Sequence, residues 1–286
     1  MRILITGANG MLGRALAARL EAGHTLYLWG REEADLTPES AVNSAAQGVE
    51  FDAIVHAAAM TDVDGCESQL DRAMAANRDT TRILGALARG RGASLLYVST
   101  DYVFDGTNPN PYLEEDAPNP INAYGRSKLA GEEAARSSGA PYLVVRTSWL
   151  YGPSGKNFVD TIAARLALGE PLRVVDDQRG APTYTLDLAH GIELLLRRGA
   201  TGIVNATNSG STTWHGFATE IARYLGISVP VVPVSSAEFP RPAKRPANSV
   251  LSGARFRALT GESLRPWEEG LHHYLDRRRA AAGEAA

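Results

Sequence analysis

Arg2-Ile3-Leu4-Ile5-Thr6-Gly7-Ala8-Asn9-Gly10-Met11-Leu12-Gly13 opens the chain, and its reading decides the fold. Residues 2–6 are a short apolar run with the β-branched content of a buried parallel strand. Leu12, Leu16, Ala17 and Leu20 then recur at helical spacing. Between them stands G-x-x-G-x-x-G in the strand-then-helix context that a nucleotide-binding turn requires. Gly7 permits the tight turn, Gly10 carries no side chain to hold a phosphate away, and Gly13 lets the helix pack close on the strand. The N–H groups of Gly10, Met11 and Leu12 are then directed at a dinucleotide pyrophosphate.

Outward from this turn, apolar strand candidates at 2–6, 25–29, 53–57, 94–99 and 141–146 alternate with helical patterns near 11–21, 38–47, 68–90 and 122–138. That alternation predicts an α/β fold: a Rossmann doubly wound parallel sheet. Beyond residue 146 the segments 147–184 and 202–265 are richer in Pro, Gly and polar residues, while 185–198 reads as a returning helix. The expected organisation is a nucleotide-binding domain over 1–146 plus 185–205. A smaller C-terminal substrate-binding lobe takes 147–184 and 206–280, and a frayed tail takes 281–286. The ligand cleft is expected between domain and lobe.

Tyr124 and Lys128 are four residues apart, on one face of a predicted helix. A free phenol titrates near 10, and a nearby ammonium lowers that value, which suits Tyr124 to proton exchange. Lys128 can also reach the ribose hydroxyls of a dinucleotide. Thr100 ends a strand at the carboxyl edge of the sheet, where its hydroxyl can bond a substrate oxygen. Asp101 follows it and can orient a sugar. Ala57, Ala58 and Ala59, after the third strand, are small enough to lie under a cofactor. The second strand ends in Gly30-Arg31 with no acid until Glu32, so Arg31 is free to pair with a 2′-phosphate, and NADPH is favoured over NADH.

The 286 residues carry a net charge of −3 and no basic block, which argues against a nucleic-acid surface. No apolar stretch nears the length of a membrane span, and no signal peptide is expected before the first strand. The only cysteine, Cys66, cannot form an intrachain disulfide, as expected in a reducing cytoplasm.

Leu95-Leu96-Tyr97-Val98-Ser99-Thr100-Asp101-Tyr102-Val103-Phe104-Asp105-Gly106 resembles the signature of the dTDP-4-dehydrorhamnose reductases, extended short-chain dehydrogenase/reductases. So do Tyr124-Gly125-Arg126-Ser127-Lys128-Leu129-Ala130-Gly131-Glu132 and Arg146-Thr147-Ser148-Trp149-Leu150-Tyr151-Gly152. The similarity continues through Val175–Thr183, Thr212-Thr213-Trp214 and Arg241–Ser249, and so spans the lobe as well. It implies reduction of a dTDP-linked 4-keto-6-deoxyhexose by NADPH. Thr100, Tyr124 and Lys128 would be catalytic, Asp35 and Leu36 would lie on the adenine side, and Trp149 would pack on the deoxysugar. Arg245, whose planar fork suits phosphate, would face the nucleotide diphosphate.

No metal site is predicted. Some members of the family hold magnesium at a dimer interface with an acid two places after the third glycine, where this chain has Ala15. A monomer, or a homodimer through another surface, is therefore expected. Two rival readings stay open: a reductase or epimerase of another nucleotide sugar, and a non-catalytic NADP-binding regulatory subunit.

Overall fold

The computed structural model describes residues 1–281 and Gly283. Five strands follow the expected order: β1 (Arg2–Thr6), β2 (Thr25–Trp29), β3 (Ala53–His56), β4 (Ser94–Thr100) and β5 (Tyr142–Thr147). Each lies within a residue of its expected bounds. A sixth strand, Gly202–Asn205, adds to β5 with Gly202 opposite Leu143. The sheet runs from this strand through β5, β4, β3 and β1 to β2, parallel throughout. Strand order reverses beside β1, which pairs with β2 on one side and β3 on the other. Open parallel sheets bind ligands at such a reversal, outside the carboxyl ends of the strands.

Alternation along each strand divides the core into two layers. Ile3, Ile5, Val55, Leu96 and Val98 face Leu16 and Leu20 of helix α1 (Met11–Leu20) and Leu188 and Ile192 of the helix Thr185–Arg197. Leu4, Ile54, Leu95, Tyr97 and Val144 face Val42, Ile83, Leu84 and Ala135 on the other side. A third apolar cluster, including Tyr151, Ile162, Leu166, Phe217, Ile221, Trp267 and Leu271, joins the helices Phe158–Ala167, Trp214–Leu225 and Trp267–Ala281.

Two expectations need correction. The stretch 68–90 is helical without a break from Leu70 to Gly90, but not α throughout. Short helices Val63–Ser68 and Leu70–Met74 lead into a π-helical turn, Ala75–Asp79, and then into Thr80–Gly90. Asn77 in that turn is wholly buried. Its side chain accepts the Met60 N–H (2.8 Å) and donates to the Met60 carbonyl (3.1 Å) and the Ser127 hydroxyl (2.8 Å). Bulges of this kind gather at functional sites. The second correction concerns the expected tail: Ala281 ends the helix Trp267–Ala281, and the rest of 281–286 save Gly283 lies outside the described residues. Among the described residues no helix is long and apolar enough to cross a membrane.

Candidate active site

At the end of β1, Gly7 adopts φ +70°, and a Cβ there would stand 2.6 Å from the Ala58 nitrogen. A Cβ on Gly13 would overlap the Gly7 carbonyl oxygen. Glycine is therefore required at both positions, and the turn lies directly against the loop after β3. The Gly10 N–H donates to the Gly7 carbonyl (2.9 Å), so it is not one of the free donors expected there. Gly10 caps α1 without a side chain, and its carbonyl accepts the Arg14 N–H at 3.0 Å. The unshared first-turn donors belong to Met11, Leu12 and Gly13. A bare helix start behind a turn that no Cβ could enter fits a pyrophosphate.

A cavity of about 780 Å³ runs from this turn over Ala57, Ala58 and Ala59 to Trp29, Arg31, Asp35 and Leu36. Arg31 is exposed at its rim. Asp35 turns its carboxylate to the Thr37 hydroxyl and amide, which hold it below the usual range. Glu33 closes the loop after the second strand by accepting the Gly30 N–H at 2.7 Å.

A second cavity of about 510 Å³ begins at Gly10–Gly13 and brings together Thr100, Asp101, Tyr124, Lys128 and Trp149. The Thr100 hydroxyl, at the end of β4, accepts the Tyr102 N–H (3.2 Å) and donates to Asp101 (3.0 Å). Asp101 is 2% exposed, and its second carboxylate oxygen has no partner. Burial pushes this carboxyl up to about 7, opposed by the Thr100 hydroxyl. Tyr124 stands in the first turn of the helix Ala123–Arg136, edge-on to Tyr102 at 5.9 Å. Asn122 starts that helix by accepting the Gly125 N–H at 2.7 Å.

The electrostatics of the pair depart from expectation. Burial raises the Tyr124 phenol above its ordinary value, with the Thr100 hydroxyl opposing. Lys128 does not lower it. The Lys128 ammonium, 2% exposed, donates to the Val98 carbonyl (2.7 Å) and sits 4.1 Å over the Tyr97 ring. A buried ammonium needs an acceptor, and the β4 backbone supplies one. Burial pulls Lys128 down to about 7, opposed by Glu132 one turn along.

Glu132 was not singled out from sequence, although its i+4 spacing from Lys128 placed it on the same face. It takes two hydrogen bonds from Arg146 (2.9 and 2.7 Å) and one from Ser99 (2.5 Å). Arg146 and Glu132 are 1% and 4% exposed, a buried ion pair that ties β4 and β5 to the helix.

Two residues singled out by the resemblance, Trp149 and Arg245, already have partners within the chain. The Trp149 indole stacks on Trp214 at 3.6 Å and 7°, so one of its faces is already covered. Its backbone is left-handed, φ +46°, a conformation rare for a bulky residue. Arg245 forms a bidentate pair with Asp64 (2.9 Å twice) and donates to the Ala243 carbonyl. Its fork is filled by a carboxylate, and it does not line the cavity that holds Thr100 and Tyr124.

Ala15 is buried at the junction of α1 with the helix Thr185–Arg197. Two further acids of the helix Thr185–Arg197 are engaged: Asp187 by Arg265 (2.5 Å) and Asn208 (2.8 Å), Glu193 by Arg19 (2.5 Å) and Arg197 (2.9 Å). Among the described residues no group of three or more His, Cys, Asp or Glu could hold a metal ion. Since a divalent ion needs several converging oxygens, EDTA is expected to leave solution mass and reductase rate unchanged. A chelator-induced change of mass reversed by magnesium would reveal an interface built from other ligands.

The family described as "RmlD substrate binding domain" matches residues 1–280. A curated dTDP-4-dehydrorhamnose reductase of Burkholderia thailandensis is 38% identical over 285 residues, covering 93% of this chain and 95% of that protein. The crystal structure of a dTDP-4-dehydrorhamnose reductase from Clostridium acetobutylicum superposes with TM-score 0.94 at 40% identity, covering 98% of this chain and 100% of that one. One from Bacillus anthracis, in complex with NADP, gives TM-score 0.94 at 39% identity over 96% and 99% of the two chains. With a match over nearly its whole length, the chain belongs to the RmlD substrate binding domain family.

Proposed function

We propose that the protein is an NADPH-dependent reductase of the C4 ketone of dTDP-4-dehydro-6-deoxy-L-mannose, yielding dTDP-L-rhamnose. One observation carries the reading: Thr100, Asp101, Tyr124 and Lys128 line a single cavity that opens on the bare N-terminus of α1. The relatives' dTDP-sugar activity and the NADP complex support it.

Met11, Leu12 and Gly13 would hold the pyrophosphate, Ala57–Ala59 would lie under the cofactor, and Arg31 would meet the 2′-phosphate. When bound, NADPH supplies reducing equivalents to a carbonyl carbon. Thr100 offers its hydroxyl to the carbonyl oxygen and thereby fixes its orientation. Tyr124 holds the proton that this oxygen takes up. Its raised pKa keeps the phenol protonated at neutral pH, the state a donor needs. The unpaired Asp101 oxygen is an acceptor for a sugar hydroxyl. Lys128 would turn from the Val98 carbonyl toward a ribose hydroxyl. The decisive assay mixes the protein with NADPH and dTDP-4-dehydro-6-deoxy-L-mannose. Formation of dTDP-L-rhamnose with loss of NADPH absorbance is expected, and absence of turnover overturns the assignment.

Cofactor choice is tested by Arg31→Ala. Loss of a contact to a charged phosphate should weaken NADPH binding by about 1.5–3 kcal/mol and leave NADH unaffected. Equal losses for both cofactors would make Arg31 a support for its loop only.

A further inference from the structure

The cavity holding Thr100 and Tyr124 contains a phosphate-binding helix start but is short of free cations. Of the two cations that line it, the Lys128 ammonium is bonded to the Val98 carbonyl. The remaining cation that lines the cavity is Lys156, which is exposed and has no ion pair or hydrogen bond from its ammonium among the described residues. Thr147, 4% exposed, lines the same cavity with a hydroxyl that has no partner, a second sign of a polar ligand there.

The loop bearing Lys156 is shaped before any ligand arrives. Asn157, which starts the helix Phe158–Ala167, donates to the carbonyls of Gly152 (3.0 Å) and Gly155 (3.2 Å) and accepts the Asp160 N–H (3.0 Å). Ser154 is held at φ +70°. Gly155 lies against Met11, the first residue of α1: a Cβ on this glycine would stand 3.3 Å from the Met11 methyl. The loop therefore reaches the side chain of the first residue of α1, and Lys156 lines the same cavity as Gly10, Met11, Leu12 and Gly13. The nearest acid along the chain, Asp160, is occupied by the Tyr274 hydroxyl (2.8 Å) and Arg278 (3.1 Å). It does not compete for the ammonium.

We propose that Lys156 binds a diphosphate in the cleft, the pyrophosphate of the dinucleotide cofactor, so that a loop of the lobe completes the cradle built by β1 and α1. The proposal rests on the nucleotide-cofactor reading above. Backbone N–H groups orient phosphate oxygens but carry only partial charge. A lysine adds a full charge with three donors on a flexible stem, which can serve either phosphate of the pair. The nucleotide-sugar substrate also carries a diphosphate. Contact with Met11 favours the cofactor's, and separate binding measurements distinguish the two sources.

Dissociation constants for NADPH, NADH and dTDP would be measured by calorimetry on the wild type, Lys156→Gln and Lys156→Arg. As a loop surface residue, Lys156 can be replaced without disturbing the core. For Lys156→Gln we expect roughly fivefold to twentyfold weaker binding of both NADPH and NADH. Lys156→Arg should restore most of this, and dTDP binding should be unchanged. A loss confined to NADPH would place Lys156 on the 2′-phosphate and overturn the pyrophosphate assignment. A loss confined to dTDP would overturn the cofactor assignment and move the contact to the substrate's diphosphate. Unchanged constants for all three ligands would overturn the proposal entirely. A wild type that binds neither cofactor would instead overturn the functional reading on which it rests.

Discussion

Tyr124→Phe is expected to turn over the keto-sugar about 10²–10⁴-fold more slowly than the wild type, with the NADPH dissociation constant unchanged. The substitution removes one oxygen and keeps the ring that packs edge-on against Tyr102. Helix and cavity walls therefore persist, and the loss reports the proton alone. Single-turnover rates with NADPH and the dTDP-sugar check the prediction. A variant retaining more than half the wild-type rate would remove Tyr124 from the mechanism.

The largest effect on stability is expected at Glu132. Its carboxylate is the partner of an Arg146 guanidinium that is 1% exposed, so Glu132→Ala leaves a buried charge uncompensated. Breaking one side of such a pair costs about 3–5 kcal/mol, read as a fall in the denaturant midpoint. Replacing both charges together, Glu132→Leu with Arg146→Met, should recover most of that loss, because no ion then remains to be desolvated. A single-variant loss under about 1 kcal/mol, the scale of exposed pairs, would mean that water reaches Arg146.

The legible parts of this molecule are those written in near neighbours. Gly7, Gly10 and Gly13 between an apolar run and a helical period specify the first strand–turn–helix, because the left-handed turn at Gly7 and the packing of Gly13 on it lie within a dozen residues. The same holds for Tyr124 and Lys128 on one helix. What the sequence does not display is the competing partner brought in by folding. Arg245 reads as a free fork until Asp64, 181 positions away, fills it. The Lys128 ammonium reads as a neighbour of Tyr124, yet a backbone carbonyl of β4 holds it. One face of the Trp149 ring is taken by Trp214, distant in sequence. The Gly10 N–H was misplaced for a smaller reason: the turn that Gly7 allows brings its carbonyl back within 2.9 Å. The strand Gly202–Asn205 is four residues long and opens on a left-handed glycine, too little signal to stand apart from the loops around it.

That late strand has a consequence for how the chain is made. β5 ends at Thr147, and the strand that covers its outer edge starts at Gly202. Everything from Ser148 to Thr201, including the helices Phe158–Ala167 and Thr185–Arg197, emerges from the ribosome in between. At about 5–20 residues per second, that interval is roughly 3–11 s. Throughout it the nascent chain carries an unpaired, strongly apolar strand edge at Leu143, Val144 and Val145, the kind of surface that recruits other strands. The segment that carries Trp149 and Lys156 is thus synthesised while the sheet beside it is still open. It can begin to fold against that sheet before the last strand seals it.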